Sequence, residues 1–390
     1  MKKSIIGASL VAAAFGLSVP AMALDVTPYG AIRVATWWTS STYYNPAGKP
    51  LHDADFTLDL QGDSLVGMRV KQDDFSAVAE MGAYNPKNRA GGVELRLLFG
   101  EWDFGGGKLR VGYAPSPYVY RSEQVYDADG GFNGYASLWD GRYAQIKVTL
   151  NNGLYMALMK QSTVGLNGIS ATNAYTTNTG NPWANTPTNL TSTTYADTAG
   201  YTDYDTFMPK TIVGYEGKAG IVTYGGGMAG NFYKIRTVAA GGNQTGKDEI
   251  YSYLAFAHAM IDLAPIELKL SGYTGQNQGN LMNNAAAAAG SFYSNNANYG
   301  KNAYTYGGWG QIGYTMNKKF KMFTGVSYES NEMRGRATDD RMAAFANVQY
   351  QVTKNFKVVP EFTYLNDMRS ASGAKEPQIY AAGVKWEMTF

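Results

Sequence analysis

The end of this chain alternates with period two. From residue 380 the even positions carry Tyr380, Ala382, Val384, Trp386, Met388 and Phe390, while the odd ones carry Ala381, Gly383, Lys385, Glu387 and Thr389. Successive side chains of an extended strand point to opposite faces, so this segment has one apolar and one polar face. Residues 55–71 repeat the pattern, with Phe56, Leu58, Leu60, Val66, Met68 and Val70 set against Asp55, Thr57, Asp59, Gln61, Asp63, Arg69 and Lys71. Ile266, Leu268 and Leu270 alternate with Glu267, Lys269 and Ser271, and Phe356, Val358, Phe362 and Tyr364 with Lys357, Glu361 and Thr363. The chain is therefore read as all-β. Alternation alone fits both a soluble sandwich, polar face outward, and a transmembrane barrel, polar face inward.

Three features favour the barrel over the sandwich: connections that alternate between short and long, aromatics near strand ends, and Phe390 closing the last alternating strand. Beyond residue 23 no apolar run approaches the ~20 residues of a helical span, and a sheet that crosses lipid must close on itself. The connections alternate in length. Short ones are Gln72-Asp73-Asp74, Gly105-Gly106-Gly107, Asn151-Asn152-Gly153, Asn317-Lys318 and Thr353-Lys354-Asn355; polar stretches at 40–52, 114–139, 161–208, 233–247, 276–302, 331–340 and 366–376 separate them. That is the asymmetry of short periplasmic turns and long external loops. Aromatic residues gather near strand ends, as at Trp37, Trp38, Trp102, Phe104, Tyr113 and Tyr350, where amphipathic rings suit a membrane interface. The count predicts a single domain of about sixteen antiparallel strands with both termini on the periplasmic side, wide enough to hold water.

The start of the chain is consistent with export. Met1-Lys2-Lys3, an apolar run over 5–19 and Ala21-Met22-Ala23 read as a signal peptide over 1–23, leaving a barrel domain over 24–390. Removing Lys2 and Lys3 takes the formal net charge from +2 to zero, and nucleic acid is not a predicted partner. There is no cysteine, so neither disulfides nor thiolate metal sites enter the reading.

The carboxy-terminal strand, with Gly383, Trp386, Met388 and Phe390, resembles the signal by which the barrel-assembly machinery recognises outer-membrane proteins. Met388 stands where that signal usually has an aromatic. The architecture as a whole resembles the general Gram-negative outer-membrane porins of sixteen strands, whose third loop folds inward and narrows the channel opposite an arginine cluster. In that resemblance the segment 114–139 is the constriction loop and supplies Glu123, Asp127 and Asp129. Arg33, Arg69, Arg96 and Arg110 form the facing wall. The wording Asp127-Ala128-Asp129-Gly130-Gly131 departs from the best-known porins. What the resemblance implies is passive diffusion of small hydrophilic solutes and ions across the outer membrane, with outer-membrane lipid as surroundings and a homotrimer as assembly. Ala77, Ala79 and Ala83, small residues on the lipid parity of the third strand, would let two walls approach.

Other readings stay open. A substrate-selective channel for anions or sugars fits the same barrel, and Tyr113, Tyr118, Tyr120, Phe132 and Tyr135 form either a stacking track for solutes or pins that hold the loop. A structural or adhesive barrel would display the 161–208 loop, and a sheath around an electron-carrying partner has the same architecture. No enzyme is predicted: His52 and His258 have no triad or metal-ligand context. No cofactor or metal is expected, since Asp127-Ala128-Asp129-Gly130 begins like a calcium loop but lacks the glutamate at its far end. The run 285–289 and Asn189-Leu190-Thr191 carry no assigned role.

Overall fold

The computed structural model describes residues 24–45, 48–83, 92–126, 130–162, 201–238, 244–282, 293 and 301–390. The expected leader, Asp127, Asp129, the run 285–289, Asn189-Leu190-Thr191 and most of the 161–208 loop lie outside them.

Among the described residues, eighteen strand segments form one sheet. They are β1 (Asp25–Tyr44), β2 (Pro50–Leu60), β3 (Leu65–Gln72), β4 (Phe75–Ala83), β5 (Val93–Asp103), β6 (Gly107–Pro115), β7 (Arg142–Leu150), β8 (Leu154–Met159), β9 (Tyr201–Asp205), β10 (Lys210–Ala219), β11 (Val222–Val238), β12 (Gln244–Leu263), β13 (Ile266–Gln276), β14 (Ala303–Thr315), β15 (Phe320–Met333), β16 (Asp339–Thr353), β17 (Phe356–Arg369) and β18 (Gln378–Thr389). Both β2 and β3 pair with β1, and both β9 and β10 pair with β11, so each couple is one interrupted stave. Sixteen antiparallel staves result. The last returns to the first, from Ala31 opposite Thr389 to Thr42 opposite Gln378, and the barrel is closed. Gly30 and Phe390 exchange both main-chain hydrogen bonds below that ladder, at 3.0 and 3.1 Å.

The hydrophobic pattern is inverted relative to a soluble protein. Ile32, Leu58, Val66, Leu98, Ile146, Ile312 and Met388 are exposed on the outside, whereas Gln61, Asp63, Glu80, Arg96, Gln311, Glu329 and Glu361 are buried within. In water so large an apolar belt would aggregate; in lipid it is the stable arrangement, and it excludes the sandwich. The expected parity holds in β18, where Tyr380, Trp386, Met388 and Phe390 are exposed while Lys385 and Glu387 are buried.

The many glycines and tyrosines, 46 and 30, meet in a repeated cross-strand pairing. Tyr29 stands opposite Gly67, Tyr273 opposite Gly307, Phe323 opposite Gly313 and Phe345 opposite Gly325. Each ring lies flat over its glycine: a Cβ at Gly313 or Gly325 would fall 2.6 Å from the ring. Inward aromatic rings thus cover the wall rather than fill the pore, the covering of a bare glycine by a cross-strand ring that stabilises β-structure.

Several strands outrun the alternating segments. Residues 40–52, expected as loop, are largely strand, because β1 continues to Tyr44 and β2 begins at Pro50. The stretch 233–247 likewise holds the ends of β11 and β12. A strand needs only ~9 to 11 residues to cross the bilayer. Beyond that both faces meet water, so backbone pairing persists after the sequence pattern has gone.

Neighbouring positions in β7 should therefore respond oppositely to substitution. Ile146, exposed at mid-strand, faces lipid, and Ile146→Arg is expected to cost ~2 to 4 kcal/mol and to deplete the folded barrel from membrane fractions. Lys147→Gln, on the inner face, should leave the yield of heat-modifiable barrel near that of the parent.

Candidate pore constriction

The connection between β6 and β7 turns into the barrel rather than out over the rim. Its two ends are joined first. Asp140 accepts hydrogen bonds from the Ser116 hydroxyl at 2.5 Å and from the Tyr118 hydroxyl, and its carbonyl accepts one from the Tyr143 hydroxyl at 2.8 Å. Lys210 of β10 meets the Asp140 carboxylate at 2.9 Å, and both side chains are fully buried.

Beyond that root the loop lies against the wall, ring on ring. Tyr118 packs edge-on against Phe256, and Tyr120 is stacked between His258 and Trp309, with centroids at 4.4 and 5.5 Å. Leu254, Phe256 and His258 share the inward parity of β12, and the loop is what covers them. At the tip Ser122 donates both its main-chain N–H and its hydroxyl to the Gly130 carbonyl, each at 2.9 Å. Gly130 has φ +70°, and a Cβ there would fall 2.5 Å from the Ser122 carbonyl oxygen, so the closure requires glycine. Phe132 also has positive φ, +50°, a conformation that costs a bulky residue free energy. Complete burial of its ring against Trp309 and Phe345 offsets that cost.

Charge and amide groups of the wall then hold the next residues of the loop. Glu123 donates its N–H to Gln311 and accepts at its carbonyl from Asn347, both at 2.7 Å. Its carboxylate meets Lys269 at 2.7 Å and Gln349 at 3.0 Å. Burial alone would raise the Glu123 pKa, but the Lys269 ammonium and these hydrogen bonds outweigh it and hold the carboxyl below its ordinary value. Glu361 of β17 accepts the main-chain N–H groups of Val125 and Tyr126, each at 2.8 Å, and Gln61 donates to the Val125 carbonyl at 3.0 Å. Asn347 and Thr363 also donate to Glu361, at 2.8 Å each. A segment with no strand partner thus has its backbone groups satisfied by side chains.

The four arginines do face inward, but not as one open cluster. Arg33 is paired with Glu387 at 2.5 Å and with Asp63 at 3.3 Å, and Arg96 is buried against Glu80 at 2.9 Å. These two knit adjacent staves together. Arg110 is half-buried, 3.3 Å from Glu101 and 4.4 Å above the Phe99 ring, and Arg69 is exposed over Tyr29 at 4.2 Å. In a closed ring of sixteen, β13 with Lys269 lies opposite β4, so Glu123 is held on the far wall from β4, whereas the next residues of the loop return through Val125 and Gln61 to the stave that carries Arg69. The opposing charges are locally compensated, Glu123 by Lys269 and Arg110 by Glu101, and the transverse field they support is smaller than the residue types alone suggest. Asp127 and Asp129 fall outside the described residues. Of the five aromatics, Tyr118, Phe132 and Tyr135 are buried and Tyr120 is stacked, which makes them pins. Tyr113 takes the register place opposite exposed Leu98 on the outer face.

Sequence reasoning missed three participants. Glu361 looks like one more wall charge in the alternating pattern, Lys210 stands in a polar stretch, and residues 277–282 were expected to be external. Instead Gln278–Leu281 is a helical turn, and Leu281 and Met282 are buried with Tyr118 and Phe256. At the long-loop mouth Glu376 is half-buried; burial, with the negative charges of Asp339 and Asp367, raises its pKa to about 7.

No protein-family model and no curated protein matches the chain. Solved structures do match. The outer membrane channel DcaP of Acinetobacter baumannii superposes with a TM-score of 0.66 at 11% identity, covering 96% of this chain and 99% of that one. OmpT, an outer membrane protein of Vibrio cholerae in its trimer form, gives 0.55 at 13% identity, over 94% and 100% of the two chains. The anion-selective porin of Comamonas acidovorans gives 0.53 at 12% identity, again over 94% and 100%. At these identities the likeness is one of fold, and the fold is the sixteen-stave outer-membrane barrel.

Two outcomes are expected. Glu361→Leu leaves two main-chain N–H groups without their acceptor, at about 1 to 3 kcal/mol each. The barrel should still assemble while an external protease cuts within 116–141 sooner than in the parent. Raising the pH from about 6 to about 8 ionises Glu376 and adds negative charge at that mouth. Reversal potentials should shift toward cations over this interval, and Glu376→Gln should reduce the shift.

Proposed function

We propose that this chain is an outer-membrane porin: a water-filled channel through which small hydrophilic solutes and ions diffuse passively, sieved by the loop over 116–141. The observation that carries this reading is the inward loop itself, held on a polar inner wall by Glu361, Lys269 and Asn347 within a barrel too wide for its own side chains to fill. Its neighbours in fold are described as outer-membrane channels and porins, which supports the same place and activity here. A channel rather than an enzyme is also favoured by the histidines: His52 lies against the Thr42 hydroxyl and His258 is stacked on Tyr120.

A homotrimer is part of the proposal. One of the neighbours is a trimer form, and Ala77 and Ala79 give the outer face of β4 a low relief on which a second barrel wall can lie. Among selective variants, anions are the class the wall favours. Arg110 and Lys147 are directly opposed across β6 and β7, and like charges so placed repel each other, a repulsion that Glu101 beside Arg110 relieves in part and an entering anion relieves further. A sugar track is not favoured, because the loop aromatics are occupied as pins.

Planar-bilayer recording of the purified protein tests the reading. Ohmic steps in groups of three are expected, together with liposome swelling that slows as the solute grows. Absence of any conductance from folded protein would overturn the assignment. Replacing Arg69 and Arg110 by Gln should move reversal potentials toward cations, and the shift should shrink as the screening length falls from ~10 Å at 0.1 M salt to ~3 Å at 1 M.

A further inference from the structure

A second segment enters the barrel from the connection after β13, and it meets the constriction loop at one buried charge. Residues 277–282 turn inward, and Gln278, Asn280, Leu281 and Met282 are all buried. Asn280 donates to the Tyr233 hydroxyl at 2.9 Å and accepts at its side chain from the Tyr293 N–H at 2.7 Å; Asn231 donates to its carbonyl at 3.3 Å. The turn is therefore built onto β11.

Lys210 stands between this turn and the root of the constriction loop. An ammonium group has three protons to place. Here one goes to the Asp140 carboxylate at 2.9 Å and one to the Leu281 carbonyl at 3.0 Å, and the Tyr143 ring lies 4.4 Å from the nitrogen. Asp140 in turn ties the entering side of the loop, through Ser116 and Tyr118, to the leaving side. A single sealed cation thus joins three things: the wall at β10, both ends of the constriction loop, and the inward turn of a different connection. Neither charge reaches the aqueous pore, so neither acts on a passing ion by direct contact.

We propose that Lys210 is a positioning residue of the pore: with Asp140 it locks the constriction loop to the turn at 277–282 and thereby fixes the size limit of the channel. The proposal rests on the pore reading above. Apolar contacts between Leu281, Met282, Tyr118 and Phe256 bring the two segments together without fixing their angle, because such contacts are non-directional. The three directed contacts of the ammonium fix it. Loss of the lock frees the loop about its ring-stacked pins and widens the set of positions that the tip visits.

The test uses the whole barrel carrying the double substitution Asp140→Asn and Lys210→Met, which removes both charges together and leaves no buried ion uncompensated. Potassium chloride currents are recorded in planar bilayers, and neutral polyethylene glycols of graded size are admitted to proteoliposomes. The double variant should run as a folded, heat-modifiable barrel with the parent's ion preference. It should show several-fold more open-channel noise and admit glycols that the parent excludes. Noise and size limit equal to the parent's, in a folded variant, would overturn the role of Lys210. If the double variant does not assemble, Tyr118→Phe removes only the hydroxyl on Asp140. A smaller rise in noise is then expected, and none would count against the proposal. A parent that passes no current overturns the pore reading itself, whereas a conducting parent matched by its variants overturns only the lock.

Discussion

The structure depends on one requirement: within lipid, every main-chain N–H and C=O must be paired inside the protein, because no water is present to replace a missing partner. A sheet meets it only by having no edge. The seam between β1 and β18, finished by the mutual hydrogen bonds of Gly30 and Phe390, is where the edge disappears. Closure then dictates the rest of the wall. An antiparallel ring with both ends on one side needs an even number of staves, and with lipid outside and water inside each strand must alternate in the inverted sense that Ile146 and Lys147 illustrate.

The same requirement follows the chain into the lumen. A loop that leaves the sheet gives up its strand partners, and an inward loop packed against a wall cannot recover all of them from water. Side chains of the wall therefore replace the missing strand. Glu361 takes two N–H groups, Gln311 supplies an acceptor, and Asn347 and Gln61 supply donors. This division of labour explains why so many inward polar residues of β14, β16 and β17 are buried rather than bathed in the pore. It also explains how an inward loop can be held within so wide a barrel.

The wall was legible in the sequence because alternation is local: two residues suffice to set a parity, and the parity in β18 agrees with the structure at each place. What depends on register was not. Arg33 and Arg96 were recognisable as inward cations, yet their partners Glu387 and Glu80 lie 354 and 16 residues away, and no local pattern specifies such pairs. Strand ends were underestimated at 40–52 and 233–247, where the chain stays paired after both faces have reached water. The inward turn at 277–282 was hidden by its composition, since Gln278, Gly279 and Asn280 look like an external loop until Leu281 and Met282 are seen to be buried. The loop aromatics were recognised, but only their ring contacts with His258, Trp309 and Phe345 show that they hold the loop.

A fully buried ion pair at the root of the loop needs a reason, because its contribution to stability is small. Bringing a lysine and an aspartate out of water costs about as much as their attraction returns, and apolar residues of similar volume often serve as well. In the lock proposed above the pair discriminates among arrangements of the two segments, since separating the partners strands a buried charge at several kcal/mol. The apolar cluster around Tyr118, Leu281 and Phe256 would tolerate small rotations of either inward segment with little change in buried area. The Lys210 ammonium does not tolerate them, because each of its directions is already assigned to a carboxylate, a carbonyl or a ring. In a soluble core such uniqueness is desirable. For the channel proposed above it has a direct consequence, since there the angle at which the loop leaves its root decides how much of the lumen remains open.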